Sequence, residues 1–472
     1  MDYDLIITGG TVVTAADVFS ADVGIKDGRI VAIAETLAGH AAEVIDATGK
    51  LVMPGGIDSH VHLAQDGAPG IVMGDDFETG TRSAIFGGNT TVMPFCLQKK
   101  GQSLRDALTD YDQRAAGNLY CDVSYHLIVS DPDPQLIGQD LPALIAAGFT
   151  SVKVFMTYED LRLTDYEILN VMKTARKGGA VVMVHAEGID AIRFLNEELE
   201  AAGKTAPRYH ATSRPIPVER EATNRALSLA ELTNAEVMVV HVSNAGAIEE
   251  IERARKRGVK VLSETCPQYL VLTEDDLEGD ALEGSKFVCS PPPRDTTSQE
   301  ACWEGLENGS FDVFSSDHCP YRYDESGKLT PEAKRGGYRW IPNGIPGIET
   351  RMPILFSEGV RKGRIDLQRF VALTSTNHAK AYGLFPRKGT IAIGADADIV
   401  IWDPDLEVTI SQSELHHGCD YTPYEGLAVT GWPVTTILRG VTVVRDRKLV
   451  ADKGIGLYQT RVPSASAASD GS

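Results

Sequence analysis

The sequence predicts an α/β protein: a (β/α)8 TIM barrel with a second, smaller β-sandwich-like domain built from both chain ends. Two observations lead to this fold class. Between residues 57 and 318, eight short runs rich in β-branched residues alternate with helical stretches, which is typical of a parallel sheet covered on both faces. The two ends of the chain instead contain short strand-like runs separated by turn residues.

The eight predicted strands favour a closed barrel over a doubly wound open sheet, which is the competing arrangement. An open sheet often carries a phosphate-binding glycine turn after its first strand, and no G-x-G-x-x-G motif follows that strand here. Eight is also the number of strands that closes this kind of barrel. The strands are predicted at 57–62, 90–95, 123–129, 151–156, 181–186, 237–243, 259–266 and 312–318.

Two of the intervening helices have clear end signals. In TDYEILNVMKTARKGG (164–179), Thr164 is predicted as the N-cap, Glu167 completes a capping box, and the glycines end the helix. In AGAIEEIERARKRG (245–258), acidic residues precede basic ones, which is the order that a helix dipole favours.

Both chain ends have a β texture. Asp27-Gly28 marks a hairpin near the start, and similar runs return after residue 388. Neither end alone supplies enough strands for a stable sheet, so we expect the two ends to join. The predicted organisation is one small β domain from residues 1–52 and 388–460, a catalytic barrel at 53–387, and a disordered tail at 461–472.

Composition excludes several classes of partner. The net charge of −21 disfavours nucleic acid and anionic membrane surfaces. The start of the chain lacks the pattern of a secretory signal, and no long uncharged apolar run is present, so we expect no membrane association. Seven scattered cysteines without a C-x-x-C motif suggest free thiols in a reducing compartment, which predicts a cytoplasmic protein.

Polar residues lie at the ends of five predicted strands. In a barrel the C-terminal ends of the strands carry the chemistry, and residues two apart in one strand point to the same face. Each residue taken alone has a structural explanation, but their common placement favours one site. The residues are His60, His62, Lys153, His185, His241 and Asp317.

These residue types suggest a metal centre. Four histidines and one aspartate exceed what one tetrahedral catalytic zinc needs while it keeps an open position. Two cations roughly 3.5–4 Å apart would use them better, but they need an anion between them. Lys153 lies between two valines, where burial would lower its pKa and leave a nucleophilic amine. Such an amine can add CO2, and the resulting carbamate could bridge two metals.

Several segments resemble the cyclic amidohydrolases, with closest similarity to the hydantoinase/dihydropyrimidinase group. The resemblance runs from about residue 3 to about residue 455. Its motifs are GGIDSHVH, SVKVFMTY, MVHAE, VVHVSN, CSPPPR, SSDHCPY and IPNGIPGIETRM.

The resemblance implies a centre of two Zn²⁺ ions, with Mn²⁺ or Co²⁺ as other candidates. One metal would be bound by His60, His62 and Asp317. The other would be bound by His185 and His241, and Lys153, modified to N6-carboxylysine, would bridge both. The family pattern also implies a homotetramer.

The same resemblance implies roles in catalysis and substrate binding. A hydroxide bridging the metals would attack the ring carbonyl of a cyclic amide, and Tyr158 would stabilise the oxyanion. Asp317 would act as general base and then acid, which gives an N-carbamoyl amino acid. Ser290 and Asn343 would hold the imide-like edge of the substrate, mainly through backbone groups.

The segments after the first strand and after Lys153 are expected to surround the ring substituent. Gln65, Gly67, Phe155 and Arg162 are the candidate gate residues. Because Gln65 and Arg162 are polar and Gly67 is small, we hypothesise a preference for small or polar substituents, including a carboxylate paired with Arg162.

Alternative functions remain open at this stage. An allantoinase, a dihydroorotase or a cyclic imidase could use the same metal centre. A non-catalytic dihydropyrimidinase-like assembly protein is a remote alternative, because suitable residue types fill all six ligand positions.

Overall fold

The N-terminal part of the chain forms seven strands in the computed structural model, which describes residues 2–67, 70–279 and 282–463. A four-stranded sheet has the order β5-β4-β1-β6, and β2, β3 and β7 belong to a second sheet. The strands are β1 (Asp2–Thr8), β2 (Thr11–Val13), β3 (Val18–Ser20), β4 (Asp22–Lys26), β5 (Arg29–Ala34), β6 (His40–Asp46) and β7 (Leu51–Pro54).

The middle of the chain alternates strands and helices, as the sequence predicts. The strands are β8 (Gly56–Val61), β9 (Asn89–Leu97), β10 (Asp122–Val123), β11 (His126–Ile128), β12 (Ser151–Phe155), β13 (Val181–His185), β14 (Val237–Val239), β15 (Val261–Thr265) and β16 (Val313–Phe314). The α-helices are α1 (Phe77–Phe86), α2 (Leu104–Ala115), α3 (Leu141–Ala146), α4 (Asp165–Gly178), α5 (Ile189–Ala201), α6 (Tyr209–Ser213), α7 (Ile216–Thr233), α8 (Ala245–Lys256), α9 (Gln268–Val271), α10 (Thr296–Asn308), α11 (Pro331–Gly336), α12 (Arg351–Leu355), α13 (Leu367–Val371) and α14 (Asn377–Ala381).

These strands form a nearly closed parallel barrel, which confirms the predicted fold class. The order is β8-β9-β11-β12-β13-β14-β15-β16, with the short β10 also paired to β9. A parallel bridge between Val61 and His318 joins the first strand to the segment after the last one. Each predicted strand overlaps an observed one, and the third is divided between β10 and β11.

The alternation of side chains along the strands explains why Lys153 faces the inside of the barrel. In β13, Val182 and Val184 pack outward against the helices, whereas Met183 belongs to the interior cluster. Lys153 is in register with Met183 on one side and with Ile128, another interior residue, on the other. Neighbouring residues in register share a face, so Lys153 points into the barrel.

Helix α4 begins and ends as predicted. Thr164 is the N-cap, its side chain and that of Glu167 form the reciprocal capping box, and Gly179 ends the helix in the left-handed conformation at φ 77°.

Within residues 2–67, 70–279 and 282–463, no helix has both the length and the apolar character needed to cross a bilayer.

The C-terminal part of the chain completes the small β domain. It contains β17 (Ile399–Thr409), β18 (Ala428–Leu438), β19 (Val441–Arg445) and β20 (Lys448–Leu449). A seven-stranded sheet has the order β20-β19-β18-β17-β7-β2-β3, so strands from both chain ends are hydrogen-bonded together. One buried cluster contains Leu5 and Val12 from one end and Ile399 and Ile437 from the other. The prediction that both ends form one domain is confirmed.

The chain after the small domain returns to the barrel. Arg461, which the sequence assigned to a disordered tail, is 2% exposed, and its guanidinium donates to Ser151 Oγ in β12 at 2.6 Å. The predicted tail at 461–472 therefore begins too early, because Arg461 is buried against the barrel and the Val462 N–H donates to the Gly383 carbonyl at 3.2 Å. Residues 464–472 lie outside the described residues.

Candidate metal centre

All six predicted ligand residues line one cavity at the C-terminal end of the barrel. The cavity has a volume of about 560 Å³, a size typical of small-molecule sites. Its walls include His60 of β8, Lys153 of β12 and His185 at the end of β13. His241 and Asp317 lie in the loops that directly follow β14 and β16. The predicted convergence of these residues is therefore present in the structure.

The first ligand group consists of His60, His62 and Asp317. Their candidate ligand atoms lie within 4.8 Å of one another, with Asp317 Oδ1 3.1 Å from His60 Nε2 and 3.6 Å from His62 Nε2. The other nitrogen of each ring is already engaged: His60 Nδ1 donates to Glu264 Oε1 at 2.6 Å, and His62 Nδ1 donates to Gln65 Oε1 at 2.8 Å. Both Nε2 lone pairs are thereby left free to face Asp317.

The second group pairs His185 with His241. His185 Nε2 donates to Glu187 Oε2 at 2.7 Å, and this leaves His185 Nδ1 to face His241 Nε2 at 2.9 Å. Burial lowers the pKa of both rings, so both are neutral near pH 7. Arg214 Nη1 also donates to Glu187 Oε2, at 3.1 Å. Burial favours the neutral form of Glu187, but Arg214 and His185 outweigh it and lower the pKa to about 2.

Lys153 is almost fully buried beside both groups. It is 1% exposed, and its Nζ lies 5.1 Å from the centre of the Phe95 ring and 5.2 Å from that of Phe155. Burial lowers its pKa to about 8, although Glu264 and Asp317 favour the charged form. A neutral amine is therefore accessible near physiological pH, as the chemistry of carbamate formation requires.

The donor set fits a metal centre. Metal-binding histidines almost always donate their second N–H to a carboxylate, a carbonyl or a similar acceptor. His60, His62 and His185 all do so, and each keeps one lone pair directed at another candidate ligand. Asp317 is ionised, because His60 and His62 lower its pKa although burial opposes this.

Tyr158 lies at the same cavity with the two predicted substrate-binding residues. Asn343 Nδ2 donates to Tyr158 Oη at 3.4 Å, and Ser290 Oγ lies 3.3 Å from His210 Nε2. Burial raises the pKa of Tyr158 to about 12, so its hydroxyl stays protonated and can donate a hydrogen bond. Tyr158, Ser290 and Asn343 all line the cavity.

Three residues of the site have strained backbone conformations. Tyr158, His241 and Asp317 have φ values of 66°, 40° and 50°. Residues other than glycine rarely adopt positive φ values. Such strain tends to occur where function fixes a side chain that the backbone alone would place elsewhere.

The candidate gate residues are only partly at the cavity. Gln65, Gly67 and Phe155 line it, but Arg162 does not: it lines a separate depression, with its Nε 3.5 Å from Glu159 Oε2. Arg162 therefore lies outside the cavity that the other three residues line, and its pairing with a substrate carboxylate stays a prediction.

Gln65 and Gly67 have structural constraints of their own. Gln65 bridges His62 Nδ1 and the Phe95 carbonyl, so it orients a candidate ligand. A Cβ on Gly67 would come within 2.7 Å of the Ile71 carbonyl oxygen. The close approach of this carbonyl thus favours a residue without a side chain at position 67, whatever the substrate.

The residues that hold the candidate ligands, Glu187, Glu264 and Arg214, were not predicted from the sequence. Glu187 follows His185 by two residues, and strand alternation would have placed the two side chains on one side. Glu264 belongs to β15, a strand to which no site residue had been assigned. Arg214 had no sequence signal, because its contact with Glu187 depends on how α6 and α7 pack above the barrel.

Comparisons with known proteins identify the family of this chain. Residues 51–443 match the family described as Amidohydrolase family. A D-hydantoinase of Geobacillus stearothermophilus is 47% identical, with 97% of this chain and 96% of that protein covered. The crystal structure of dihydropyrimidinase from Brevibacillus agri superposes with a TM-score of 0.94 at 45% identity, covering 98% of this chain and 99% of that one. L-Hydantoinase from Arthrobacter aurescens has a TM-score of 0.87 at 31% identity, with 97% and 100% covered. The chain belongs to the amidohydrolase family, within its hydantoinase/dihydropyrimidinase group.

Proposed function

We propose that the protein is a binuclear metal hydrolase that opens the cyclic amide bond of hydantoins or dihydropyrimidines to give N-carbamoyl amino acids. The observation that carries the proposal is the convergence of ring nitrogens at one cavity, with the second nitrogen of three rings held by Glu264, Gln65 or Glu187. Relatives named D-hydantoinase, and a solved dihydropyrimidinase, support the choice of substrate class.

Two Zn²⁺ ions are the proposed cofactor, and Mn²⁺ or Co²⁺ are further candidates. His60, His62 and Asp317 would hold one ion, His185 and His241 would hold the other, and Lys153, as an N6-carboxylysine formed from CO2, would be shared. When bound, such ions lower the pKa of water toward ~7 and polarise a carbonyl oxygen.

The chain's own groups carry the remaining steps. Asp317 is ionised and can take a proton from the attacking water, then deliver it to the ring nitrogen that leaves. The protonated hydroxyl of Tyr158 can donate to the carbonyl oxygen as negative charge develops there. Ser290 and Asn343 lie on the same wall, where their polar groups can hold the imide-like edge of the ring.

We also propose that the cavity prefers small or polar substituents on the ring. Gln65 and Gly67 offer the polar and open part of the cavity, but Ile71, Leu97 and Trp340 also line it. A kinetic comparison of phenylhydantoin, dihydrouracil and a carboxyalkyl-hydantoin tests the preference for small or polar substituents. A strong phenyl preference would contradict it.

The experiment that tests the function uses metal-replete protein and a panel of cyclic amides. The panel contains hydantoins, dihydropyrimidines, allantoin, dihydroorotate and cyclic imides, and products are identified by mass. Ring opening of the first two classes is expected. Preferential hydrolysis of another ring would favour an allantoinase, dihydroorotase or imidase, and protein without bound metal or activity would favour the assembly protein.

We further propose a cytoplasmic homotetramer. All seven cysteines are free, which suits a reducing compartment. Light scattering coupled to size-exclusion chromatography measures the assembly, and a monomeric mass at micromolar concentration would contradict it.

A further inference from the structure

A second buried lysine, Lys328, lies behind the substrate-binding wall of the cavity. Its side chain is fully buried, at 0% exposure, in the segment between Asp317 and α11. Gly327, next to it, needs to be glycine because a Cβ there would come within 2.3 Å of the Arg322 carbonyl oxygen. The Lys328 N–H donates to that same carbonyl at 2.8 Å, so the backbone that carries the lysine is fixed.

The Lys328 ammonium joins two segments of the cavity wall. Nζ donates to the Val288 carbonyl at 2.7 Å and to the Pro342 carbonyl at 2.6 Å. Val288 precedes Ser290 by two residues, and Pro342 directly precedes Asn343. Burial lowers the pKa of Lys328 to about 7, although Cys289, Cys319 and Cys419 favour its charged form. Both the ammonium and the neutral amine have enough N–H groups to donate to the two carbonyls.

The contact with Pro342 acts on the peptide that contains the Asn343 N–H. The Pro342 carbonyl and the Asn343 N–H belong to one peptide unit, and a cation at the oxygen makes the N–H a stronger donor. Within the described parts of the chain, no protein acceptor lies within hydrogen-bonding distance of the Asn343 N–H. Asn343 lines the cavity, and no protein hydrogen bond of its N–H competes with a ligand.

The contact with Val288 keeps the two segments in register. The Val288 carbonyl also accepts from the Gly344 N–H at 3.0 Å, so Lys328 and Gly344 meet at one oxygen. A displacement of the lysine would shift the Ser290 and Asn343 segments relative to each other. It would thereby change the distance between the polar groups that these segments present to the ring.

We propose that Lys328 is a positioning residue for the substrate: its side-chain nitrogen clamps the Ser290 and Asn343 segments and, when protonated, strengthens the Asn343 N–H as a donor to a polar oxygen of the ring. The inference rests on the proposed function, because it assigns these segments to the imide-like edge of a cyclic amide. Lys328 itself does not touch the substrate.

The test replaces Lys328 by Met, which keeps the length of the side chain and removes the donor. Steady-state kinetics on hydantoin and dihydrouracil are combined with metal analysis and with hydrogen–deuterium exchange of metal-replete protein, followed in peptides covering 286–292 and 340–346. Two controls are Lys388→Met, a lysine 1% exposed that pairs with Asp122 at 2.8 Å, and Lys334→Met, an exposed lysine on α11.

In Lys328→Met we expect KM to rise roughly tenfold or more, as the loss of charge-assisted hydrogen bonds implies. The metal content and most of kcat should be retained, and exchange should be faster in both peptides. Neither control should change KM. If the Met variant does not fold, Lys328→Gln, which keeps an N–H donor, is measured in its place, with a smaller rise in KM expected.

An unchanged KM with a lower melting temperature would overturn the proposal, because a purely structural lysine changes stability and not substrate binding. Unchanged exchange at 340–346 would overturn it as well. If the wild type hydrolyses no cyclic amide, the proposed function fails, and the substrate role of Lys328 fails with it. In that case, faster hydrogen–deuterium exchange in Lys328→Met would show only that Lys328 holds the two loops together.

Discussion

Glu187 holds a candidate metal ligand, so removing its charge should weaken one half of the metal centre. In the Glu187→Gln variant the side chain keeps its size but loses the carboxylate that accepts from His185 Nε2 at 2.7 Å and from Arg214 Nη1 at 3.1 Å. The amide can still accept one of these bonds, but its N–H₂ group can also turn toward His185 and disfavour the ring tautomer that leaves Nδ1 free. Arg214 would also lose the buried counter-charge of Glu187.

The expected magnitude follows from the role of such acceptors. Substitution of the group that orients a metal-binding histidine typically costs about 10- to 100-fold in metal affinity, or about 1.4–2.7 kcal/mol. Glu187 contacts His185 and not His60 or His62. The loss should therefore fall on the metal held by His185 and His241, and the other metal should keep its affinity.

The assay is a metal titration of chelator-treated protein, with the bound stoichiometry measured by elemental analysis. Glu349→Gln is a matched control, because Glu349 is 2% exposed and accepts from His416 Nδ1 at 2.9 Å outside the metal centre. Both variants should lose stability, but only Glu187→Gln should bind one metal much more weakly. Equal affinity for both metals in wild type and Glu187→Gln would refute the reasoning.

Three further substitutions test the proposed chemistry. Lys153→Ala should lose both metals and activity, because the shared ligand is gone, and full two-metal occupancy in elemental analysis would refute the bridge. Tyr158→Phe should keep its metals and lose roughly 10²- to 10³-fold in kcat, the typical value of one oxyanion donor; an unchanged rate would remove Tyr158 from the mechanism. Asp317→Asn should nearly abolish hydrolysis, and a pH–rate profile like that of the wild type would contradict its proton-transfer role.

Local patterns predicted much of the fold. The capping box of Thr164 and Glu167 and the glycine stop at Gly179 depend on neighbours in sequence, and all were correct. The eight strands were found because a parallel barrel buries both faces of each strand, which produces continuous β-branched runs. The boundary at residue 461 was wrong because the side chain of Arg461 is buried against β12, a contact between parts of the chain far apart in sequence.

The site was predictable to the extent that strand ends in a barrel meet at one rim. That rule brought together His60, His185 and Asp317, which come from distant parts of the sequence. It could not identify the residues that orient them, because the contacts of Glu264 and Arg214 depend on packing between elements. The position of Arg162 outside the cavity could not be predicted for the same reason: in the loop after β12 its side chain lies beside Glu159.

The surroundings of three buried lysines distinguish the role of Lys153. Lys388 is 1% exposed and lies within 3.3 Å of carboxylate oxygens of Asp122, Asp396 and Asp398. Lys328 donates to two backbone carbonyls. The side-chain nitrogens of both lysines thus have oxygen acceptors, as the cost of an unpaired buried polar group demands.

Lys153 is equally buried but has different neighbours. Among the residues that the structure describes, no carboxylate oxygen lies within 4.0 Å of its Nζ, and the centres of the Phe95 and Phe155 rings lie 5.1 and 5.2 Å from it. An ammonium there would lack the close oxygen acceptors that the other two lysines have. A carbamate bound to metals is an anion whose burial is offset by coordination, so the same surroundings that oppose a cation suit the modified lysine. We therefore expect Lys153 to be present as the carbamate, and not as the unmodified amine, in the folded, metal-loaded protein.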